Sequence, residues 1–195
     1  MKITALLLKL YLRVHPAEMS FRGLMLHVPS GCLPPRLTVS TSLLAEVLSE
    51  ELAGREVAVL DIGCGVGALA LLAARLGHYA VGTEIKPRCA AAARVNARRN
   101  GVDAYIDVVV CDGASCLRGG FGAAVVNPPF LLVEGDPSYA CGRGCGVAAK
   151  ILLEAVDAAD TVIYAWSSLS GPSPIGGVEV ASRRGLFDRV YVYRV

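Results

Sequence analysis

Apolar and polar positions along the chain fall into short runs that predict an α/β fold. Val57–Leu60 is an unbroken apolar run ending at Asp61; glycines follow at 63, 65 and 67, and then ALALLAARLG resumes with helical spacing. A short apolar run closed by glycines predicts a strand buried on both faces, as in a parallel sheet. Strand, glycine turn and helix together make a nucleotide-binding βα unit, whose glycines let a ligand approach the main chain closely. Three more apolar runs repeat the pattern. Tyr79–Thr83 precedes Glu84, Ala104–Val110 precedes Cys111-Asp112-Gly113, and Gly122–Val126 precedes Asn127-Pro128-Pro129-Phe130. Four predicted strands therefore end in Asp61, Glu84, Asp112 and Asn127, at the edge where open α/β sheets bind ligands. Glu84 stands about 20 residues beyond the glycines, where a ribose-binding acid belongs.

The flanking segments complete the outline. Ile3, Leu6, Leu7, Leu10, Tyr11 and Val14 recur at helical spacing and predict an amphipathic, packing helix that stops before Pro16. Phe21–Val28 and Cys32–Leu33 flank Pro29-Ser30-Gly31 and predict a small hairpin turning there. Ser40 or Thr41 caps a helix running through Leu52. Pro87 opens a helix over Arg88–Asn100 that stops at Asn100-Gly101. A helix over Val147–Ala158 and a strand over Thr161–Trp166 follow. SSLSGPSPIGG predicts a loop or single turn, because two prolines and three glycines oppose a full helix. Val178–Arg183 and Asp188–Val195 predict a closing hairpin around Gly185. With no repeats and no linker, residues 1–195 read as one domain, with the helix and hairpin over 1–39 and the core over 40–195.

The series DIGCGVG, Thr83-Glu84-Ile85, Cys111-Asp112-Gly113 and NPPF resembles the motifs of class I S-adenosylmethionine-dependent methyltransferases, from about Pro35 to Val195. The GxGxG spacing also leans away from NAD. The resemblance implies a Rossmann-like fold with a seven-stranded, mostly parallel sheet in the order 3-2-1-4-5-7-6 and helices on both faces. The helix between strands 5 and 6 is expected to be shortened or absent. S-adenosylmethionine is the implied cofactor. Gly63, Gly65 and Gly67 approach its amino-acid end with Asp61 near its ammonium, Glu84 with Ile85 receives the ribose, and Asp112 with Gly113 receives the adenine. Asn127, Pro128, Pro129 and Phe130 address the acceptor. An amide or aromatic-amine nitrogen is a poor nucleophile, because its lone pair is delocalised. The Asn127 side-chain oxygen and the Pro128 carbonyl can each accept one of its N–H groups and stabilise the charge developing on it. Pro129 helps fix the loop, and Phe130 offers a face for stacking.

Gly142-Arg143-Gly144 and the ending RRGLFDRVYVYRV resemble the HemK-like protein-glutamine methyltransferases. That implies a glutamine in a translation termination factor as substrate. A ribosomal or transfer RNA base methyltransferase is the main alternative, and a non-catalytic cofactor-binding scaffold is a third. The chain departs from the glutamine enzymes at Leu37-Thr38-Val39-Ser40-Thr41, which lacks their acid.

Composition narrows the setting. A net charge of +2 gives no concentrated basic face for gripping duplex nucleic acid. Although 54% of residues are hydrophobic, no run reaches the roughly 18 apolar residues of a membrane span, and a cytoplasmic enzyme is expected. The 7 cysteines form no paired CxxC motifs, so no metal site is expected and most thiols read as free and buried. The lack of Gln and the excess of Arg over Lys fit a thermophile, where intracellular disulfides occur; Cys111–Cys116 and Cys141–Cys145 are the candidates. The third core strand is a valine-rich sheet edge interrupted by Asp107, and such edges invite strand addition. Relatives of the glutamine enzymes imply a small zinc-ribbon activator as the partner there.

Overall fold

The structure, a computed structural model, describes residues 15–36, 39–129, 146–185 and 188–195. The expected N-terminal helix, Phe130, the Gly-Arg-Gly element and the Cys141–Cys145 pair lie outside the described residues.

The first elements among the described residues are strands β1 (Glu18–Phe21) and β2 (Leu24–His27), paired antiparallel. Their turn is Arg22-Gly23; the chain also turns at Pro29-Ser30-Gly31, where the Cys32 N–H donates to the Pro29 carbonyl (3.0 Å), but no strands pair across it, so the hairpin expected there is corrected. Both Arg22 (φ 48°) and Gly23 (φ 77°) are left-handed, the backbone that joins twisted strands through two residues. Leu24, Leu26 and Val28 enter the core, so the apolar run is one strand and its exit rather than both arms of a hairpin.

Helix α1 (Val39–Leu52) leads into β3 (Val59–Ile62), α2 (Ala68–Arg75), β4 (Ala80–Glu84), α3 (Pro87–Arg99) and β5 (Ile106–Val110). Then come β6 (Ala123–Val126), α4 (Gly146–Ala158), β7 (Val162–Ser167), β8 (Val178–Arg184) and β9 (Arg189–Arg194). Seven strands form one sheet in the order β5-β4-β3-β6-β7-β9-β8, which is the expected 3-2-1-4-5-7-6. The first five are parallel, and β9 runs antiparallel between β7 and β8. Every residue of β3, β6 and β7 is buried, as strands covered on both faces must be. Helix α1 packs on α2 and on β7–β9, α3 packs on β4 and β5, and α4 packs on β6 and β7.

Two features fix the periphery. Residues 168–177 carry turns and no helix, as expected. Tyr164 Oη bonds Ser173 Oγ (2.5 Å) and the Gly176 carbonyl, and Trp166 Nε1 donates to the Gly171 carbonyl (2.9 Å), so strand side chains hold this loop down. At the opposite edge, the Cys111 N–H donates to the Glu84 carbonyl, so strand alternation turns the Val108 main chain outward. The Arg94 guanidinium from α3 takes the Val108 carbonyl. The edge expected to be bare is thus partly covered by its own helix.

The expectation of mostly free thiols is also corrected. Cys111–Cys116 is bridged as anticipated, but Cys32–Cys89 is bridged too, and Cys64 is the free, buried cysteine among the described residues. No helix among them is long and apolar enough to cross a membrane, and no cluster of His, Cys, Asp and Glu among them is arranged to hold a metal.

Candidate functional site

A small cleft open to solvent lies at the carboxyl ends of β3, β4 and β6. Of the residues expected from sequence, Asp61, Gly63, Gly65, Glu84 and Asn127 line it. The segment after β2 closes one side with Gly31, Cys32, Leu33 and Pro35, and Thr41, Lys86 and Cys89 complete the wall.

The glycine turn shows why three glycines are needed and that they do different work. A Cβ on Gly67 would fall 2.4 Å from Leu71 Cδ1 and 3.1 Å from Ala93 Cβ, so this glycine lets α2 and α3 close on each other. A Cβ on Gly63 or Gly65 would meet no atom within 4 Å. The space beside those two belongs to the cleft, and the main chain there is bare to whatever fills it. The Cys64 N–H donates to the Thr83 carbonyl and the Gly67 N–H to the Cys64 carbonyl, both at 2.8 Å, which holds the turn against β4.

Two buried carboxylates brace this turn. Asp61 is 3% exposed, and its Oδ2 accepts the Ala70 N–H (2.9 Å), an unpaired donor of the first turn of α2. Burial pushes its carboxyl up to about 7; the Ala70 bond opposes this and the nearby Glu84 charge adds to it. Glu84 Oε2 accepts the Gly65 N–H (2.9 Å) and Oε1 accepts the Lys86 N–H (2.8 Å), so the end of β4 is tied to the glycine turn. Burial also pushes the Cys64 thiol up, with Asp61 and Glu84 adding to the effect, so it stays protonated. The floor of the cleft is acidic and suited to a cation.

Asn127, at the end of β6, is held by its nitrogen: Nδ2 donates to Thr41 Oγ1 at 3.1 Å. Its Oδ1 is buried with no hydrogen-bond partner among the described residues. An unmet buried acceptor costs about 1–3 kcal/mol, a cost that a donor reaching this oxygen would remove. Pro128 and Pro129 are buried behind it.

Other expected residues stand elsewhere. Ile85 is 55% exposed and outside the cleft lining. Asp112 and Gly113 are also outside it; the Asp112 carboxylate pairs with Lys150 Nζ of α4 at 2.8 Å. Glu154 Oε2, one turn further along α4, accepts the Ala114 N–H (2.8 Å), which fixes the loop after β5 from below. Lys150, Glu154 and the Cys32–Cys89 bridge carried no local signal in the sequence. Thr41 did, as one of two candidate helix caps, but its bond to Asn127 spans 86 residues.

Residues 35–161 match the family described as "Methyltransferase small domain", which is more than half of the chain. Among curated proteins, the chain is 35% identical over 116 residues to the ribosomal protein L11 methyltransferase of Dechloromonas aromatica, covering 57% of this chain and 38% of that protein. It is 34% identical over 122 residues to the enzyme of the same name from Alteromonas mediterranea, covering 61% of this chain and 41% of that one. The chain thus spans less than half the length of these curated relatives. Among solved structures, the Thermus thermophilus 16S rRNA N2 G1207 methyltransferase, in complex with AdoMet and guanosine, superposes with a TM-score of 0.70 at 21% identity. That match covers 90% of this chain and 49% of the other. The ribosomal protein L11 methylase of Lactobacillus delbrueckii gives 0.60 at 20% identity over 78% and 76% of the two chains. At such identities the likeness is one of fold.

Proposed function

The chain belongs to the methyltransferase small-domain family, and from that premise we propose that it methylates a planar nitrogen, the side-chain amide of a glutamine in a translation termination factor. It is an S-adenosylmethionine-dependent enzyme, and the cofactor supplies a methyl group already activated on a sulfonium. The residues present fit that group. Open space beside Gly63 and Gly65 admits a ligand to the main chain. Asp61 and Glu84 supply negative charge for its cationic end and acceptors for its ribose. Asp112 joins the adenine side of the site by leaving or sharing its pair with Lys150.

The observation that carries the acceptor assignment is the buried, unpartnered Oδ1 of Asn127. An amide N–H reaching it satisfies an oxygen that has no partner among the described residues. The positive charge that grows on the nitrogen as it attacks strengthens the bond, so stabilisation is greatest in the transition state. Pro128 and Pro129 restrict the backbone that offers the adjoining carbonyl. Excluding water and aligning the acceptor are the remaining tasks, since methyl transfer from a sulfonium needs no covalent help from the protein.

Glutamine is favoured over a nucleic-acid base by the resemblance of Gly142-Arg143-Gly144 and the closing hairpin to the protein-glutamine enzymes. A strand-adding zinc-ribbon subunit at β5 belongs to the same proposal, and it would have to displace Arg94 from the Val108 carbonyl. Incubation with methyl-labelled cofactor, a termination factor carrying a Gly-Gly-Gln loop, and total RNA sorts the readings. Label in the protein supports the proposal; label in RNA replaces it with the base methyltransferase.

A further inference from the structure

Strand β6 delivers Asn127 to the cleft, but its backbone does not decide which end of the amide faces inward. Half a turn about χ2 exchanges Oδ1 and Nδ2 with almost no change of shape. For the reaction proposed above the exchange is decisive. With Oδ1 inward, the side chain accepts an N–H from a planar nitrogen. With Nδ2 inward, it sets hydrogens against hydrogens and repels the same acceptor.

The choice is made by a residue from another element. Asn127 Nδ2 donates to Thr41 Oγ1 at 3.1 Å, and Oδ1 is left buried and unpartnered among the described residues. Thr41 lies in the first turn of α1, is 6% exposed and lines the cleft beside Asn127. Its helix packs on α2 and on β7–β9, so the hydroxyl is carried by a rigid element.

We propose that Thr41 is a positioning residue that fixes the Asn127 amide with its oxygen toward the acceptor; this rests on the reading that Asn127 binds a planar nitrogen. A hydroxyl can also donate, and a flipped amide would then present Oδ1 to Thr41, so the orientation needs a direct test. The sequence permits an unusually clean one. It holds three asparagines (Asn96, Asn100 and Asn127) and no glutamine, so 15N-labelled protein gives three side-chain NH2 pairs. Asn127→Ala identifies the third by its loss. In the wild type, the Asn127 pair is expected to be protected from exchange by its bond to Thr41. Thr41→Val should shift and deprotect that pair alone, leaving Asn96 and Asn100 unchanged. It should also lower turnover by about tenfold or more, with cofactor affinity and melting midpoint held, and Thr41→Ser should restore both. An Asn127 pair indifferent to Thr41→Val overturns the proposal. So does a wild-type pair that exchanges as fast as free asparagine, a result that stands even if Thr41→Val does not fold. The spectra require no substrate, so failure of the glutamine reading is separable from failure of this one.

Discussion

Opening the Cys32–Cys89 bridge should cost a large share of the stability and loosen the cofactor cleft. The bridge closes a loop with a sequence separation of 57 residues and ties the segment after β2 to the first turn of α3. Chain entropy alone makes a closed loop of that length worth about 4 kcal/mol. Domains are stable by roughly 5–15 kcal/mol, so this one link carries a quarter or more of the total. For a chain of this size the melting midpoint should fall by about 8–16 °C. The loosening should stay local. Upstream, the Asn96 and Asn100 side chains still hold β2 through bonds to the His27 and Met25 main chain, all between 2.7 and 3.0 Å. Downstream, residues 31–35 lose their tie, and they form one wall of the cleft. The assay is denaturation of wild type and of Cys32→Ala/Cys89→Ala, with and without a dithiol, alongside calorimetry of cofactor binding. Wild type should be dithiol-sensitive and weaken its cofactor on reduction, whereas the double variant should already be low in both. A reduced wild type with confirmed free thiols at 32 and 89 and an unchanged midpoint would refute the reasoning.

Asn127→Ala should leave cofactor affinity nearly intact and cut turnover about 100-fold or more, read by single-turnover kinetics. Glu84→Ala should weaken cofactor binding by about 1–3 kcal/mol through lost acceptor bonds, read by calorimetry against wild type. Asp61, pushed up to about 7, holds its proton more tightly folded than unfolded. Its contribution is therefore full below its unfolded value near 4 and is lost as pH rises through about 7, while cofactor affinity should rise over the upper part of that window as the carboxylate forms. Glu46, held low by Arg183, acts in the opposite sense, so the test is the difference between wild type and Asp61→Asn in stability and binding from pH 5 to 8. Lys150→Ala should change stability by less than about 1 kcal/mol, because its pair with Asp112 is largely exposed, and urea midpoints will show it.

The residues that announce this fold act locally, and so the sequence exposes them. Strand β3 is apolar except for Asp61 because both its faces are covered, and the glycines at 63, 65 and 67 shape the short turn that carries it into α2. The polar ends of β3, β4 and β6 could be read in the same way. The first hairpin was less legible. Pro29-Ser30-Gly31 does turn, but burial of Leu24, Leu26 and Val28 and left-handed backbone at Arg22-Gly23 place the hairpin's own turn earlier. What stayed hidden joins residues far apart: Cys32 to Cys89, Lys150 to Asp112, and Thr41 to Asn127. Asp112 is an example, since its motif position says nothing of the lysine on α4 with which its carboxylate pairs outside the cleft lining.

The central claim is that the acceptor is a planar nitrogen, and the chemical form of the transferred methyl tests it most directly. After reaction of a Gly-Gly-Gln termination factor with methyl-labelled cofactor, the protein is hydrolysed in acid. A methylated amide releases its label as methylamine, and this is the predicted result. Label retained on lysine or on an α-amino group would place the methyl on a tetrahedral nitrogen, for which the Asn127 oxygen is not designed, and would contradict the account.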